Sequence, residues 1–187
     1  MLLLNTYFDH VDNILNNIVR CRKNVVYMIS VKVICVGRLK EPFYTDAASE
    51  YAKRLGGYCK LDIIEIPEHR LPDKPSDTQI ILALEKESEA VCSRIPAGHL
   101  IVALCVEGKE MDSFELAGFL ADSAGHGASR LCFIIGGSHG LHISIKDRAD
   151  FILSMSKMTF PHNLARVMVL EQLYRAFSIN EGGKYHK

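Results

Sequence analysis

The sequence has no surplus of either charge: 22 Lys plus Arg stand against 22 Asp plus Glu, a formal net charge of zero. That excludes a protein that coats nucleic acid by bulk charge and leaves only a local basic patch for such a role. None of the six cysteines (Cys21, Cys35, Cys59, Cys92, Cys105 and Cys132) belongs to a C-x-x-C pair. Cys35, Cys105 and Cys132 sit inside apolar runs, where a thiol behaves as a small hydrophobe. Neither a disulfide framework nor a metal site is expected, and the usage points to a reducing, cytoplasmic compartment. No apolar run approaches the ~18 residues of a membrane span. The start, Met1-Leu2-Leu3-Leu4, turns polar at Asn5 without a basic stretch or small-residue cleavage site, so no secretion signal is expected. Also missing is a G-x-G-x-x-G turn after the first strand, where the chain reads Gly37-Arg38-Leu39-Lys40-Glu41-Pro42. Its absence counts against the common dinucleotide-binding fold.

What is there is an ordinary soluble composition, 48% apolar and 24% charged over 187 residues, which is room for one domain with a proper core. Residues 1–27 stand apart. Phe8, Val11, Ile14, Leu15, Ile18 and Val19 fall at helical spacing, weakened by Asn5, Asn13, Asn16 and Asn17. This stretch reads as an N-terminal extension, an upstream start or a loosely attached tail, ahead of a single domain over 28–187.

Within that domain, apolar strands over 31–36, 61–66, 100–106, 131–135 and 151–155 alternate with helical segments. Pro42 opens the first helix and Gly56-Gly57 stops it. Asp77 is the expected cap of the second, and Asp112 or Ser113 of the third. A last helix is expected over 163–179, with Leu164, Val167, Met168, Leu170, Leu173, Tyr174 and Phe177 on its apolar face. Alternation of this kind predicts an α/β fold with a mostly parallel sheet flanked by helices. Ligands in such sheets bind beyond the carboxyl ends of the strands, so the loops after Val106, Ile135 and Met155 are the place for a site.

The fourth strand runs into Gly136-Gly137-Ser138-His139-Gly140. As a string this fits the G-x-S-x-G elbow of serine hydrolases, but the elbow needs a strong helix next, and residues 141–147 are short and weakly helical. Glycines that let backbone approach a ligand fit the position better. His139 and His142 lack further ligands for a metal and read as loop or capping histidines. Met155 and Met168 read as core; Met158 lies in a loop that leaves a strand and enters a helix, where main-chain groups can read an adenine edge. From Lys157 to the end, Lys157, Arg166, Arg175, Lys184 and Lys187 stand against Glu171 and Glu181, a net of plus three. Arg175, Tyr185, His186 and Lys187 mix cation and aromatic character, as RNA contacts do; a solvated helix face and frayed tail explain them equally well.

Several ordered strings resemble one family. They are Val33-Ile34-Cys35-Val36-Gly37-Arg38-Leu39-Lys40, Leu104-Cys105-Val106-Glu107-Gly108-Lys109, and Phe133-Ile134-Ile135-Gly136-Gly137-Ser138-His139-Gly140-Leu141. With them go Leu153-Ser154-Met155-Ser156-Lys157-Met158-Thr159-Phe160-Pro161-His162, Leu173-Tyr174-Arg175-Ala176 and the closing Tyr185-His186-Lys187. From about Val31 to its end the chain resembles the RlmH family of ribosomal RNA large-subunit methyltransferases, in the SPOUT superfamily. The resemblance implies a SPOUT-type α/β domain with a C-terminal trefoil knot, an exception to the rule against knotted chains. It further implies a homodimer, S-adenosylmethionine as cofactor, and N3 of pseudouridine 1915 in helix 69 of 23S rRNA, on the assembled 70S ribosome, as substrate.

Carried over by position, the cofactor contacts would be Leu104, Gly136, Gly137, Ser156, Lys157, Met158, Thr159, Phe160 and Pro161, with Gly108 a neighbour. Arg175, Tyr185, His186 and Lys187 would face the RNA. Lys187 stands where relatives often have Arg, keeping the charge but losing the bidentate fork. Arg175 would favour the anionic base, and His162 or His186 would accept its proton. Residues 1–27 depart from the family pattern. Two other readings compete: a serine hydrolase using Ser138, and a non-catalytic ribosome-binding module.

Overall fold

A computed structural model describes residues 29–125 and 129–186. The expected helix in 1–27 and the RNA-facing Lys187 lie outside them. The element order is β1 (Ser30–Val36), α1 (Pro42–Leu55), β2 (Lys60–Ile66), α2 (Asp77–Cys92), β3 (Leu100–Glu110), α3 (Ser113–Gly125), β4 (Arg130–Ile135), α4 (Ile143–Arg148), β5 (Phe151–Ser154) and α5 (His162–Asn180), closed by a 3-10 turn over Lys184–His186.

The five strands form one sheet in the order β2-β1-β4-β3-β5, and every pairing is parallel. Alternation along the strands explains the two layers. Val31, Val33 and Cys35 of β1, with Leu131, Phe133 and Ile135 of β4, face α1, α3 and α5 through Leu55, Leu120, Leu170 and Leu173. Ile34, Val36, Cys132 and Ile134 face the opposite way, toward Val91 of α2 and Ile145 of α4. Both strands are therefore buried on both sides, which is why they read as continuous apolar runs. Each fully buried Ile or Leu contributes about 1.5–3 kcal/mol relative to exposure.

Local chemistry sets the helix starts. Pro42 stands in the first turn of α1, where its missing N–H costs nothing. The cap of α2 is Ser76 rather than Asp77: the Ser76 hydroxyl accepts from Gln79 N and the Gln79 side chain accepts from Ser76 N, a reciprocal capping box. Asp77 instead sits in the first turn, where its charge meets the helix dipole. Asp112 caps α3, its Oδ1 accepting from Phe114 N and Glu115 N at 2.8 Å each. The segment after Gly140, expected to be only weakly helical, forms α4, capped by His142, whose side chain accepts from Ser144 N. Strand β3 continues past Val106 to Glu110, shifting register against β5 between Leu104 and Lys109.

The connection of β1 leaves toward β2, and that of β4 leaves toward β5 on the other side. Where neighbouring connections diverge, a crevice opens at the carboxyl ends of the strands. Here it lies between β1 and β4.

Candidate functional site

Two cavities open at that carboxyl edge. The first, about 710 Å³, lies over β3, β4 and β5. It is lined by Leu104 at the turn of β3, by the Gly136–Leu141 turn after β4, and by Ser156, Met158, Thr159, Phe160, Pro161 and His162 between β5 and α5. The loops expected from strand ends are the ones that build it. Of the residues expected to hold a cofactor, Leu104, Gly136, Gly137, Ser156, Met158, Thr159, Phe160 and Pro161 line it, and Lys157 does not. Gly108 does not line it either; a Cβ there would fall 2.7 Å from the Ile152 carbonyl oxygen, so it serves the close approach of β3 to β5 at their register shift.

The β4 turn is held tightly. Gly140 N donates to the Gly137 carbonyl at 3.1 Å, and a Cβ on Gly136 would fall 2.3 Å from the Gly140 carbonyl oxygen, so no larger residue fits there. Glu68, from the loop after β2, accepts from Ser138 N at 2.9 Å. Partial burial raises the pKa of Glu68, but the Ser138 hydrogen bonds and the nearby His162 and His139 outweigh it and hold the carboxyl below its usual range. Ser138 does not form a nucleophile elbow: among the described residues no non-glycine has a positive φ, and its tie to Glu68 is a turn contact. In the β5–α5 loop, the Ser154 hydroxyl donates to the Ser156 carbonyl and Met158 N donates to the Ser156 hydroxyl, turning the chain around the cavity.

Several lining residues had no expected role. Cys105, Glu107 and Lys146 share the wall, and Lys146 Nζ pairs with Glu107 at 2.5 Å. That hydrogen bond lowers the Glu107 pKa and raises that of Lys146. Glu107 follows Val106 directly and was within reach of the strand-end argument. Lys146 comes from α4, so no sequence spacing announces it.

His162, the first residue of α5, borders both cavities. Its imidazole lies against Gly37: a Cβ on Gly37 would fall 2.8 Å from His162 Nε2, and Gly37 has a φ of 92°. One turn along α5, Arg166 holds the same glycine from the other side. Its guanidinium donates to the Gly37 carbonyl at 2.7 Å and to Glu65 at 2.5 Å, and Glu65 also accepts from Leu39 N. Arg166 is only 2% exposed, which corrects its place in the basic surface read from sequence. It is an internal clamp.

Arg175 lies 13 residues beyond His162 on α5, roughly 20 Å along the helix axis. Its guanidinium donates to Glu171 and to the Tyr185 carbonyl, and lies 4.7 Å from the centre of the Tyr185 ring. Tyr185 packs edge-on against Tyr174 and donates to Glu171 at 3.2 Å. A hydrogen bond with Tyr51, then burial and Glu171, push the Tyr185 phenol up to about 12. The main chain of His186 belongs to the closing turn, and its side chain lies outside the described parts. Within one chain, then, Arg175 and Tyr185 are brought together, and neither lines the cavity of His162.

Among the described residues no group of three His, Cys, Asp or Glu side chains gathers to hold a metal, and no helix is long and apolar enough to cross a membrane.

Comparison with known proteins agrees with the family read from the motifs. Residues 29–186 match the family model described as "Predicted SPOUT methyltransferase". The chain is 46% identical over 159 residues to the ribosomal RNA large subunit methyltransferase H of Bifidobacterium adolescentis, covering 85% of this chain and 100% of that one. It is 42% identical, with the same coverage, to the protein of that name from Streptococcus suis. Among solved structures it is similar to the SpoU methyltransferase AviRb of Streptomyces viridochromogenes in complex with AdoMet, at 15% identity and a TM-score of 0.43, covering 85% of this chain and 61% of that one. On the family match over 29–186 and these full-length relatives, the chain belongs to the SPOUT methyltransferase family.

Proposed function

We infer that this protein methylates large-subunit ribosomal RNA with S-adenosylmethionine, at N3 of the pseudouridine in the helix-69 loop of 23S rRNA on the assembled ribosome. The observation that carries the reading is the first cavity: one pocket gathers Leu104, Gly136, Gly137 and the Ser156 and Met158–Pro161 loop from three separate strand ends. Its volume suits a nucleoside cofactor, and its character does too. Leu104, Ile135, Leu153 and Phe160 offer apolar surface for an adenine, while Glu107, Lys146 and the Ser156 region offer polar groups at the edge.

When bound there, S-adenosylmethionine supplies a methyl group on a positively charged sulfur that departs as a neutral thioether. The protein's task is then alignment and proton removal. Held in line, the reacting atoms gain up to roughly 7–11 kcal/mol from orientation alone. N3 of the acceptor base must lose a proton as it gains the methyl. His162 is the proposed acceptor, a reading supported by its position at the border of the cavity against Gly37. Arg175 favours the anionic base by its charge. Because Arg175 lies roughly 20 Å along α5 from His162, a homodimer is part of the proposal, with the Arg175, Tyr185, His186 and Lys187 group of one copy reaching the cavity of the other. The trefoil knot belongs to the proposal as well.

Two measurements test the reading. Calorimetry should detect S-adenosylmethionine binding by the full chain, and labelled methyl should appear in ribosomes that lack the modification. Arg175→Ala methylating at the wild-type rate would remove that residue from the site. Binding of ribosomes without cofactor affinity or methyl transfer would favour the non-catalytic module instead.

A further inference from the structure

The second cavity, about 750 Å³, lies over β1 and β2 at the same carboxyl edge and shares Ser138, His139 and His162 with the first. It is a built feature with walls fixed by three carboxylates. Glu87, 7% exposed on α2, accepts from His69 N at 2.7 Å and holds the loop after β2 against that helix. Glu68 ties the same loop to Ser138. Glu65, through Arg166, fixes the Gly37 turn against His162. The lining is mixed: Leu71, Ile80 and Leu84 give apolar surface, Arg38, Lys40 and Arg70 come from the loops after β1 and β2, and Glu41 and Asp73 add two further carboxylates to Glu68 and Glu87.

An in-line methyl transfer needs its acceptor on the far side of the methyl from the cofactor. The acceptor therefore enters from a space adjoining the cofactor cavity, and the second cavity adjoins it at His162. A base stacked on its neighbours in an RNA loop does not reach into such a space, so it must leave its stack and enter alone. Apolar side chains accept the face of such a base, and arginine or lysine side chains beside them meet its phosphates.

We propose that the cavity formed by the Gly37 turn, the 67–75 loop and α2 receives the acceptor nucleotide of the RNA, its pyrimidine base on Leu71, Ile80 and Leu84 and its phosphates against Arg38, Lys40 and Arg70. This rests on the methyltransferase reading and adds a place for the acceptor. It also gives the loop after β2 a function.

The test uses the full chain. Ile80→Trp fills the floor, and Ile81→Trp, at an exposed position on the same helix, is the control. Ile80→Trp should bind S-adenosylmethionine within twofold of wild type and lose at least a hundredfold in kcat/KM on unmodified ribosomes, with Ile81→Trp unaffected. Arg70→Glu should raise KM about tenfold with little change in kcat. Titration of wild-type protein with uridine 5′-monophosphate, followed by amide chemical shifts, should move resonances of the 67–75 loop and of α2 around Ile80. Wild-type activity in Ile80→Trp, or nucleotide shifts confined to the first cavity, would overturn the proposal. Should Ile80→Trp fold poorly, the nucleotide titration decides alone. A wild-type protein that methylates no ribosomes sinks the functional reading instead, and the titration still reports on this cavity.

Discussion

At the scale of single residues, Arg166 and Glu68 carry more than their sequence positions suggest. Arg166 is buried with one carboxylate and one carbonyl as partners, and removing it takes the guanidinium donor from the Gly37 carbonyl and leaves Glu65 only its bond from Leu39 N. Arg166→Met should cost about 3 kcal/mol, the low end for a broken buried pair, because the Glu65 side chain is 36% exposed and water can reach it. Arg166→Lys should recover only part of this, since an ammonium cannot span both acceptors as the guanidinium fork does. Urea unfolding midpoints check both. If Arg166 also positions His162, Arg166→Met should slow methyl transfer in wild type and add little in a His162→Ala background. Glu68 makes a prediction in pH. Its folded pKa lies below the ordinary 4.5, so its contribution to stability is present above that value and is lost as pH falls through the lowered folded pKa. The melting-temperature gap between wild type and Glu68→Gln should persist at pH 7 and close in stronger acid. A gap independent of pH would contradict the ionised Glu68–Ser138 tie.

At the scale of elements, the starts of the helices were largely open to sequence reasoning, and the misses are instructive. Ser76 and Asp77 are both good caps, and one residue of difference lies inside the usual uncertainty of helix ends. The structure selects Ser76 because Gln79 then falls three residues on and closes the reciprocal pair. Ser76→Ala should cost about 1 kcal/mol, or about 2–4 °C in melting temperature for a domain of this size. Asp77→Ala should cost less, and the reverse order in thermal melts would put the cap back at Asp77. Strand β3 was read as ending at Val106 because its apolar run ends there, yet it continues to Glu110 by pairing with β5 after a register shift. Pairing of that kind depends on a partner distant in sequence, so a hydrophobic pattern does not report it. Helix α4 was read as weak for a similar reason: six residues hold a helix through the His142 cap and the burial of Ile145 against the sheet, not by propensity.

At the scale of the whole molecule, burial sorts the cysteines, and their chemistry offers a test of the cavity proposed for the cofactor. Burial pushes the thiols of Cys35, Cys59 and Cys132 up to about 12, so these should resist alkylation until the protein unfolds. Cys92 and Cys105 are half-buried, and only Cys105 lines the first cavity. Saturating S-adenosylmethionine should slow alkylation of Cys105 and leave Cys92 unchanged, as peptide mass spectrometry would show; equal rates with and without cofactor would place the binding site elsewhere. A protein beginning at Met28 should bind the cofactor as the full chain does, since the described residues that line the cavity all lie between Leu104 and Ala165.

The alternation of apolar runs with amphipathic segments determined the α/β class, the parallel sheet and the carboxyl edge as the place to look for a cavity, because those follow from periodicity and from general rules of sheet architecture. The motif strings from Val33 to His162 determined the family, since their order and spacing are written in the chain itself. What only the tertiary structure decided are relations between residues far apart in sequence. Arg166 looked like surface charge because a helix of mixed polarity does not say which side is buried; packing against β1 turned it inward, where Glu65 lies 101 residues away. Lys146 joined the first cavity, and Glu68 reached Ser138 across 70 residues, through positions that no local pattern encodes. Arg175 and His162, joined in one mechanism by resemblance, were set roughly 20 Å apart by the fixed rise of the helix that carries both.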